Sequence, residues 1–204
     1  HLDWINFSFA TTGLGRENIA HAIGAKSAVS LRGYDIGLYP YKHPGCYNLL
    51  WKKIDKVHTI SADLYKKAVL LGLDPNKPFM KIPPAINSNF FRTNRLVEIH
   101  SSLKILTVGR LHWKKGYEYS IKALSLLKNR GIDFEYRIVG DGDYKEAIIY
   151  AINQLKKNDN VKLIGRLDHA DVKNQMEWAN IYIQPSIQEG FCNAVLEAQA
   201  MGLV

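Results

Sequence analysis

Cysteine is scarce in this sequence. The two present among 204 residues, Cys46 and Cys192, sit far apart and match no metal or redox spacing. That excludes a disulfide scaffold and reads as two free thiols in a reducing compartment. Long apolar runs are missing too: none reaches the roughly 18–20 residues that a membrane-crossing helix needs, and no leader pattern opens the chain. No internal repeat or low-complexity tract stands out. Zinc knuckles, aromatic RNA-binding signatures and helix-turn-helix spacing are also lacking, so nucleic acid is not an expected partner.

What is present is ordinary globular material, 47% hydrophobic and 23% charged. The net charge of +8 is spread over Lys-rich turns such as WKKIDK, LYKK and HWKKG. A solvated basic surface accounts for it; an anionic partner, phosphates or a bilayer surface, is the sharper reading. The length is long for one domain and short for two complete α/β domains. The opening HLDWINFSFA reads like the interior of a fold without an initiator Met, so the chain is expected to be a fragment.

One boundary is visible. The stretch KIPPAINSNFFRTN, Lys81 to Asn94, carries two prolines that stop a helix, followed by a polar, turn-prone run. Before it, KSAVSLRG and KVHTISA read as buried strands, and SADLYKKAVLLG as a helix with a Ser cap and a Gly stop. After it, LKILTVGRL, FEYRIVGDG, NVKLIG and IYIQPS read as strands. Between them, EYSIKALSLLKNRG, DYKEAIIYAINQLKKN and HADVKNQMEWA read as helices, and CNAVLEAQAMG closes as another. Strands alternating with helices across short loops predict parallel, doubly wound α/β sheets. Ligands of such sheets bind beyond the carboxyl ends of the strands.

The candidate residues lie at those ends. In VGRLHWKKG, Arg110 and Lys115 follow a strand; an Arg fork and a Lys point charge on one loop suit a pyrophosphate, and a bare basic loop is the bland reading. Gly140 and Gly142 of IVGDGD supply only two glycines of a dinucleotide fingerprint, with Lys145 at the third place, and read as a tight turn. Gly13 and Gly15 of TTGLGREN follow no clear strand and receive no role. In PSIQEGFCNAVLEAQAMG, Gly190 and Phe191 offer backbone N–H groups at a helix start, where an anion is favoured. Glu189 can accept from sugar hydroxyls or stabilise a developing cation. Asn193 and Glu197, four apart, share one helix face. Taken singly, each carboxylate is a helix cap or a surface group; together with Arg110 and Lys115 they form a constellation.

Four segments, VGRLHWKKGYEYSIKAL, YRIVGDGDYKEAI, NVKLIGRLDHADV and PSIQEGFCNAVLEAQAMG, carry a resemblance to retaining glycosyltransferases of family four, whose two glutamates have seven residues between them, as Glu189 and Glu197 do here. The resemblance covers residues 100–204 strongly and extends more weakly into VSLRGYDI and the stretch from VHTISADLYKKAVLLG to KIPPAIN. The wording is closest to bacterial exopolysaccharide or lipopolysaccharide enzymes such as those of colanic acid synthesis. It implies a GT-B fold of two Rossmann-like parallel-sheet domains, both incomplete in this chain. Residues 1–87 would be the acceptor side and 88–204 the donor-binding side.

The resemblance also implies roles. Arg110 and Lys115, beside Gly109, would hold the donor diphosphate and stabilise the leaving nucleotide. Glu189 with Gly190 and Phe191 would engage the transferred sugar, and Asn193 would support that loop. Glu197 would bind the ribose hydroxyls, and Arg166 and Leu167 would lie beside the nucleobase. Neither metal nor organic cofactor is implied; the donor is a UDP- or GDP-sugar and the acceptor a saccharide or lipid-linked glycan. Localisation would be cytoplasmic, with WKKIDK and its Trp51 suited to peripheral contact with an anionic membrane. One departure from the family is Arg32 of RGYD, where many relatives carry His. The alternative function is a non-catalytic nucleotide-sugar-binding module. An epimerase or phosphorylase on the same fold is a third reading, but no segment reads as a pyridoxal-phosphate lysine site.

Overall fold

A computed structural model describes residues 1–93, 102–154 and 159–204 of the chain. They form two compact units, His1–Ala85 with Glu189–Phe191, and Ile86–Gln188 with Cys192–Val204.

The first unit is built on a four-stranded parallel sheet in the order β1 (Trp4–Phe7), β2 (Lys26–Leu31), β3 (Lys56–Thr59) and β4 (Phe79–Lys81). Short helices fill the connections: α1 (Ala10–Gly13), α2 (Ile19–Ala22), α3 (Tyr34–Gly37), α4 (Tyr39–Lys42), α5 (Asn48–Lys53) and α6 (Ala62–Leu70). Strand β1 corrects the sequence reading, which saw no strand before Gly13 and Gly15. It is only four residues long, and Ile5 and Phe7 turn inward while Trp4 and Asn6 are exposed, so too little periodicity accumulates to register. Strand β4 escaped notice as well. All three of its residues are exposed, and Phe79 is held by stacking on Tyr65 at 3.8 Å between ring centroids.

The core of this unit gathers Val29, Leu31, Leu50, Trp51, Ile54, Val57 and Leu64. Trp51 is therefore not an exposed anchor. It is 3% exposed, and its Nε1 donates to the Leu71 carbonyl at 3.0 Å. Its neighbours Lys52 and Lys53 do face solvent, as expected when one position of a helical turn is apolar and the next two are charged. Ser61 caps α6 as its sequence implied, accepting from the Leu64 N–H at 3.3 Å.

The second unit has the order β7 (Val161–Gly165), β6 (Asp133–Val139), β5 (Ser102–Val108) and β8 (Ile181–Tyr182), again all parallel. Helices α7 (Tyr117–Asn129), α8 (Lys145–Gln154), α9 (His169–Trp178) and α10 (Asn193–Ala200) alternate with them. Residues 155–158 of the helix expected over 143–158, and Asn94 of the connecting stretch, lie outside the described residues. The strand expected over IYIQPS pairs only at Ile181 and Tyr182; the chain beyond it runs on toward Pro185, which cannot donate to a ladder.

Burial on both faces explains the apolar strands. Ile105, Phe134, Tyr136 and Ile138 pack on one side with Ile121, Leu124 and Ile148. Leu106 and Val139 pack on the other with Val172, Met176 and Ala198. Successive residues of one strand, Ile105 and Leu106, thus serve opposite layers. The polar groups inside are paired: the Thr107 and Tyr136 hydroxyls lie 2.8 Å apart, and Ser120 reaches the same phenol at 3.0 Å.

Candidate functional site

The site is assembled where three strands of the second unit end. Gly109 N–H donates to the Val139 carbonyl at 2.9 Å, and Leu111 N–H to the Asp141 carbonyl at 3.0 Å. Gly140 N–H donates to the Gly165 carbonyl at 2.8 Å, so the loops after β5, β6 and β7 are tied in sequence by their own backbone. The approach is closest at Gly140, whose φ is +143°. A Cβ there would stand 1.9 Å from the Gly109 carbonyl oxygen, which no side chain can occupy. Sequence reasoning took IVGDGD for a tight turn. The structure shows that its glycines also let two loops touch, Gly140 against Gly109 and Gly142 against Leu111, a long-range contact that the local pattern could not reveal.

Beyond these ties lies a cavity of about 480 Å³ lined by Arg110, Gly140, Asp141, Gly142 and Arg166. Its size falls within the range of small-molecule sites. Arg110 and Arg166 are exposed and Asp141 lies at the rim, so two guanidinium groups and one carboxylate border the opening. Such a surface favours an anion of extended shape. Gly140, Asp141 and Gly142 are the lining residues that the sequence reading left out. Nothing short of knowing which loops meet would have placed them there.

Lys115 belongs to the same loop end. It closes a 3₁₀ turn, Trp113–Lys115, and its Cε and Nζ lie 3.6 and 3.7 Å from where a Cβ of Gly109 would stand. Below it, the buried Tyr117 hydroxyl hydrogen-bonds the Gly109 and Arg110 carbonyls at 3.0 and 3.2 Å. The turn packs against the chain after β8: Ile187 N–H donates to the Lys114 carbonyl at 2.8 Å. Gly116, at φ +66°, would bring a Cβ within 2.3 Å of the Pro185 carbonyl oxygen.

The remaining candidates divide. Arg166 and Leu167 follow β7, and Asp168 caps α9 by accepting from the Asp171 N–H at 2.9 Å. Glu197 lies on α10 and is partly buried, which raises its carboxyl pKa above the ordinary range against a smaller opposing effect of His169. Asn193, one helical turn earlier, is exposed. No side chain caps the start of α10 at Cys192, which leaves first-turn N–H groups to be met otherwise. Glu189, Gly190 and Phe191 group with the first unit. There Phe191 packs on the core, and a Cβ on Gly190 would meet the Arg32 carbonyl oxygen at 2.2 Å.

Arg32 sits beside a feature that sequence reasoning missed. Asp35 of the same RGYD motif is fully buried and accepts from the N–H groups of Ala10, Arg32 and Gly33 at 3.1, 3.1 and 2.8 Å. Arg32 Nε in turn donates to the Ser8 carbonyl at 3.1 Å. Ala10 is twenty-five residues from Asp35, and that separation hid the pairing. Among the described residues, no group of three or more His, Cys, Asp or Glu is placed to hold a metal ion, and no helix is long and apolar enough to cross a membrane.

Comparison with known proteins accords with this geometry. The chain is 34% identical over 139 residues to the amylovoran biosynthesis glycosyltransferase AmsK of Erwinia amylovora, covering 65% of this chain and 31% of that protein. It is 34% identical over 107 residues to the putative colanic acid biosynthesis glycosyltransferase WcaL of Escherichia coli K12, covering 50% and 26%. The chain thus spans about a third or less of the length of these curated relatives. The solved structure of Anabaena Alr3699/HepE in complex with UDP superposes with a TM-score of 0.80 at 18% identity, over 98% of this chain and 58% of that one. That likeness shows the fold, the Rossmann-like α/β sheets of GT-B enzymes. A family model described as Glycosyl transferases group 1 matches residues 93–204, which hold the whole second-unit cavity and more than half of the sequence, and the chain therefore belongs to that family.

Proposed function

We propose that the protein transfers a sugar from a nucleotide-diphosphate donor to a saccharide or lipid-linked acceptor, with retention of anomeric configuration, in the synthesis of a cell-surface polysaccharide. The observation that carries this reading is the cavity at the ends of β5, β6 and β7, bordered by Arg110 and Arg166. Support also comes from its relatives, described as biosynthetic glycosyltransferases of amylovoran and colanic acid, and from the solved neighbour with UDP bound.

In this reading residues 88–204 carry the donor and residues 1–87 the acceptor side. Arg110 and Lys115 grip the diphosphate and neutralise the charge that accumulates on it as its bond to the sugar breaks. Arg166 and Leu167 lie beside the base of a UDP- or GDP-sugar, and Glu197 accepts from the ribose hydroxyls. Glu189 faces the transferred sugar, with Gly190, Phe191 and Asn193 shaping its loop. These cations and the open helix start of α10 do the work without a metal ion or organic cofactor. In this reading the protein is cytoplasmic, and its basic surface suits peripheral contact with the anionic inner face of a membrane.

Ligand-detected NMR on the chain with UDP-, GDP- and ADP-sugars tests the donor site. One base class should bind, and Arg110→Ala and Glu197→Ala should each abolish the signal. A folded chain that binds none of the three would overturn the reading.

A further inference from the structure

The 3₁₀ turn that carries Lys115 begins in an unusual way. Its first flanking residue, His112, has extended backbone angles (φ −147°, ψ 143°), and its Nδ1 accepts from the Lys114 N–H at 3.3 Å. Caps of this kind are normally supplied by Ser, Thr, Asp or Asn, whose oxygens accept at any ordinary pH. An imidazole nitrogen accepts only while it carries no proton, so this cap requires the neutral ring with its hydrogen on Nε2.

We propose that His112 is a positioning residue whose neutral imidazole holds the Lys115 turn in its diphosphate-gripping geometry, and that protonation of the ring releases the turn and weakens donor binding. The inference rests on the reading of Arg110 and Lys115 as the donor-phosphate site.

Three observations bear on it. The far side of the turn is fixed by backbone, through Ile187 N–H on the Lys114 carbonyl and the close approach of Gly116 to Pro185. On the near side the Lys115 N–H donates to the His112 carbonyl at 2.9 Å, and the Lys114 N–H is met by the imidazole, so one of the two ties there is a side chain that can titrate. Lys115 comes at the end of this one turn, and its ammonium rests over Gly109, so a frayed cap moves the cation that the site needs. The groups around His112 favour the neutral ring. Partial burial, then Lys114 and Arg110, and to a smaller extent Lys115, lower its pKa below the ordinary 6.5, while Asp143 opposes them. The sign follows: the cap is intact above the ordinary histidine value and is lost as pH falls through the lowered one. A protonated ring would also bring a positive charge closer to the phosphates. That effect acts in the opposite direction, so the two can be told apart.

The test titrates the chain with UDP-, GDP- and ADP-glucose, whose diphosphate diesters do not titrate in the histidine range, between about pH 8 and pH 5. Wild type should lose about three- to tenfold in affinity across the acid half, the order expected from one lost cap. His112→Asn, which can still cap but cannot titrate, should bind within about threefold of wild type at the alkaline end and show no acid loss. His112→Ala should be weakened throughout and equally flat. Ring-nitrogen NMR of the unliganded chain gives a second readout. His112 should show hydrogen on Nε2 and a midpoint below that of a free histidine. A parallel acid loss in wild type and His112→Asn, a gain of affinity on acidification, or a neutral ring protonated on Nδ1 would each overturn the proposal alone. No binding of any of the three sugars at any pH by a folded wild-type chain would overturn the donor-site reading, and the proposal with it.

Discussion

In the first unit the loops after β1 and β2 are joined through a buried carboxylate; in the second the loops after β5, β6 and β7 are joined by direct backbone hydrogen bonds. Asp35 collects three N–H groups from two loops and is spent inside the fold. The second unit achieves the same closure with Gly109, Leu111 and Gly140, whose main-chain groups bond directly. Its charged side chains, Arg110 and Arg166, are therefore left facing the cavity. A carboxylate at a strand end is thus not by itself a sign of a binding site. What marks the site is a strand end where glycine has taken over the structural task and the ionic groups have been released from it.

The comparison can be broken at its most demanding contact first. Gly140→Ala places a methyl group 1.9 Å from the Gly109 carbonyl oxygen, at a φ of +143°. Relieving a backbone clash at a strained φ should cost the second unit about 3–4 kcal/mol. Urea unfolding followed by a probe in that unit would read this, and a loss below 1 kcal/mol would mean the loops are not locked together there. Asp35→Ala should come next. It strands buried N–H donors and should destabilise the first unit by about 2–3 kcal/mol, while a residue-resolved reporter in the second, such as the indole N–H resonance of Trp178, keeps its midpoint. Equal loss in both reporters would show that the two units do not unfold separately.

These two residues also show what could be read from the sequence and what could not. The parallel α/β architecture was legible because its signals are local: the apolar run LKILTV, the helical period of SIKALSLL, Ser61 before α6 and Gly131 after α7. Strands β1 and β4 were not, being too short and too exposed to carry a period. Within the site, Arg110 and Lys115 stood out through their place after a strand. The contribution of Gly140 to Gly142 did not, because it consists of contacts to carbonyls about thirty residues earlier. Asp35 was hidden for the same reason, its partner Ala10 lying in another loop. The expected surface aromatic, Trp51, turned inward because α5 has one apolar face and Trp51 lies on it.

Smaller effects sharpen the contrast. Arg110 is exposed at the cavity rim, so Arg110→Ala should leave the unfolding midpoint unchanged while weakening nucleotide-sugar binding at least tenfold, about 1.5–3 kcal/mol for a charge-assisted contact. Calorimetric titration beside a thermal melt separates the two; a lower Tm with unaltered affinity would place Arg110 in the scaffold instead. At the bottom of the scale stands the i,i+4 pair Asp63–Lys67 on α6, 2.8 Å apart and largely solvated. Lys67→Ala should cost no more than about 0.5 kcal/mol, and a loss several times larger would mean that surface charge matters more in this fold than either set of loop ties.

The most direct measurement is a backbone amide chemical-shift map of the isotope-labelled chain titrated with the nucleotide sugar that binds. Perturbations should concentrate at Gly109 to Lys115, Gly140 to Gly142, Arg166 to Leu167 and Glu197, and should vanish in Arg110→Ala. Saturable perturbations centred elsewhere, for instance around Trp51, Gly72 and Lys77 in the first unit, would contradict a donor site built on the glycine-tied strand ends.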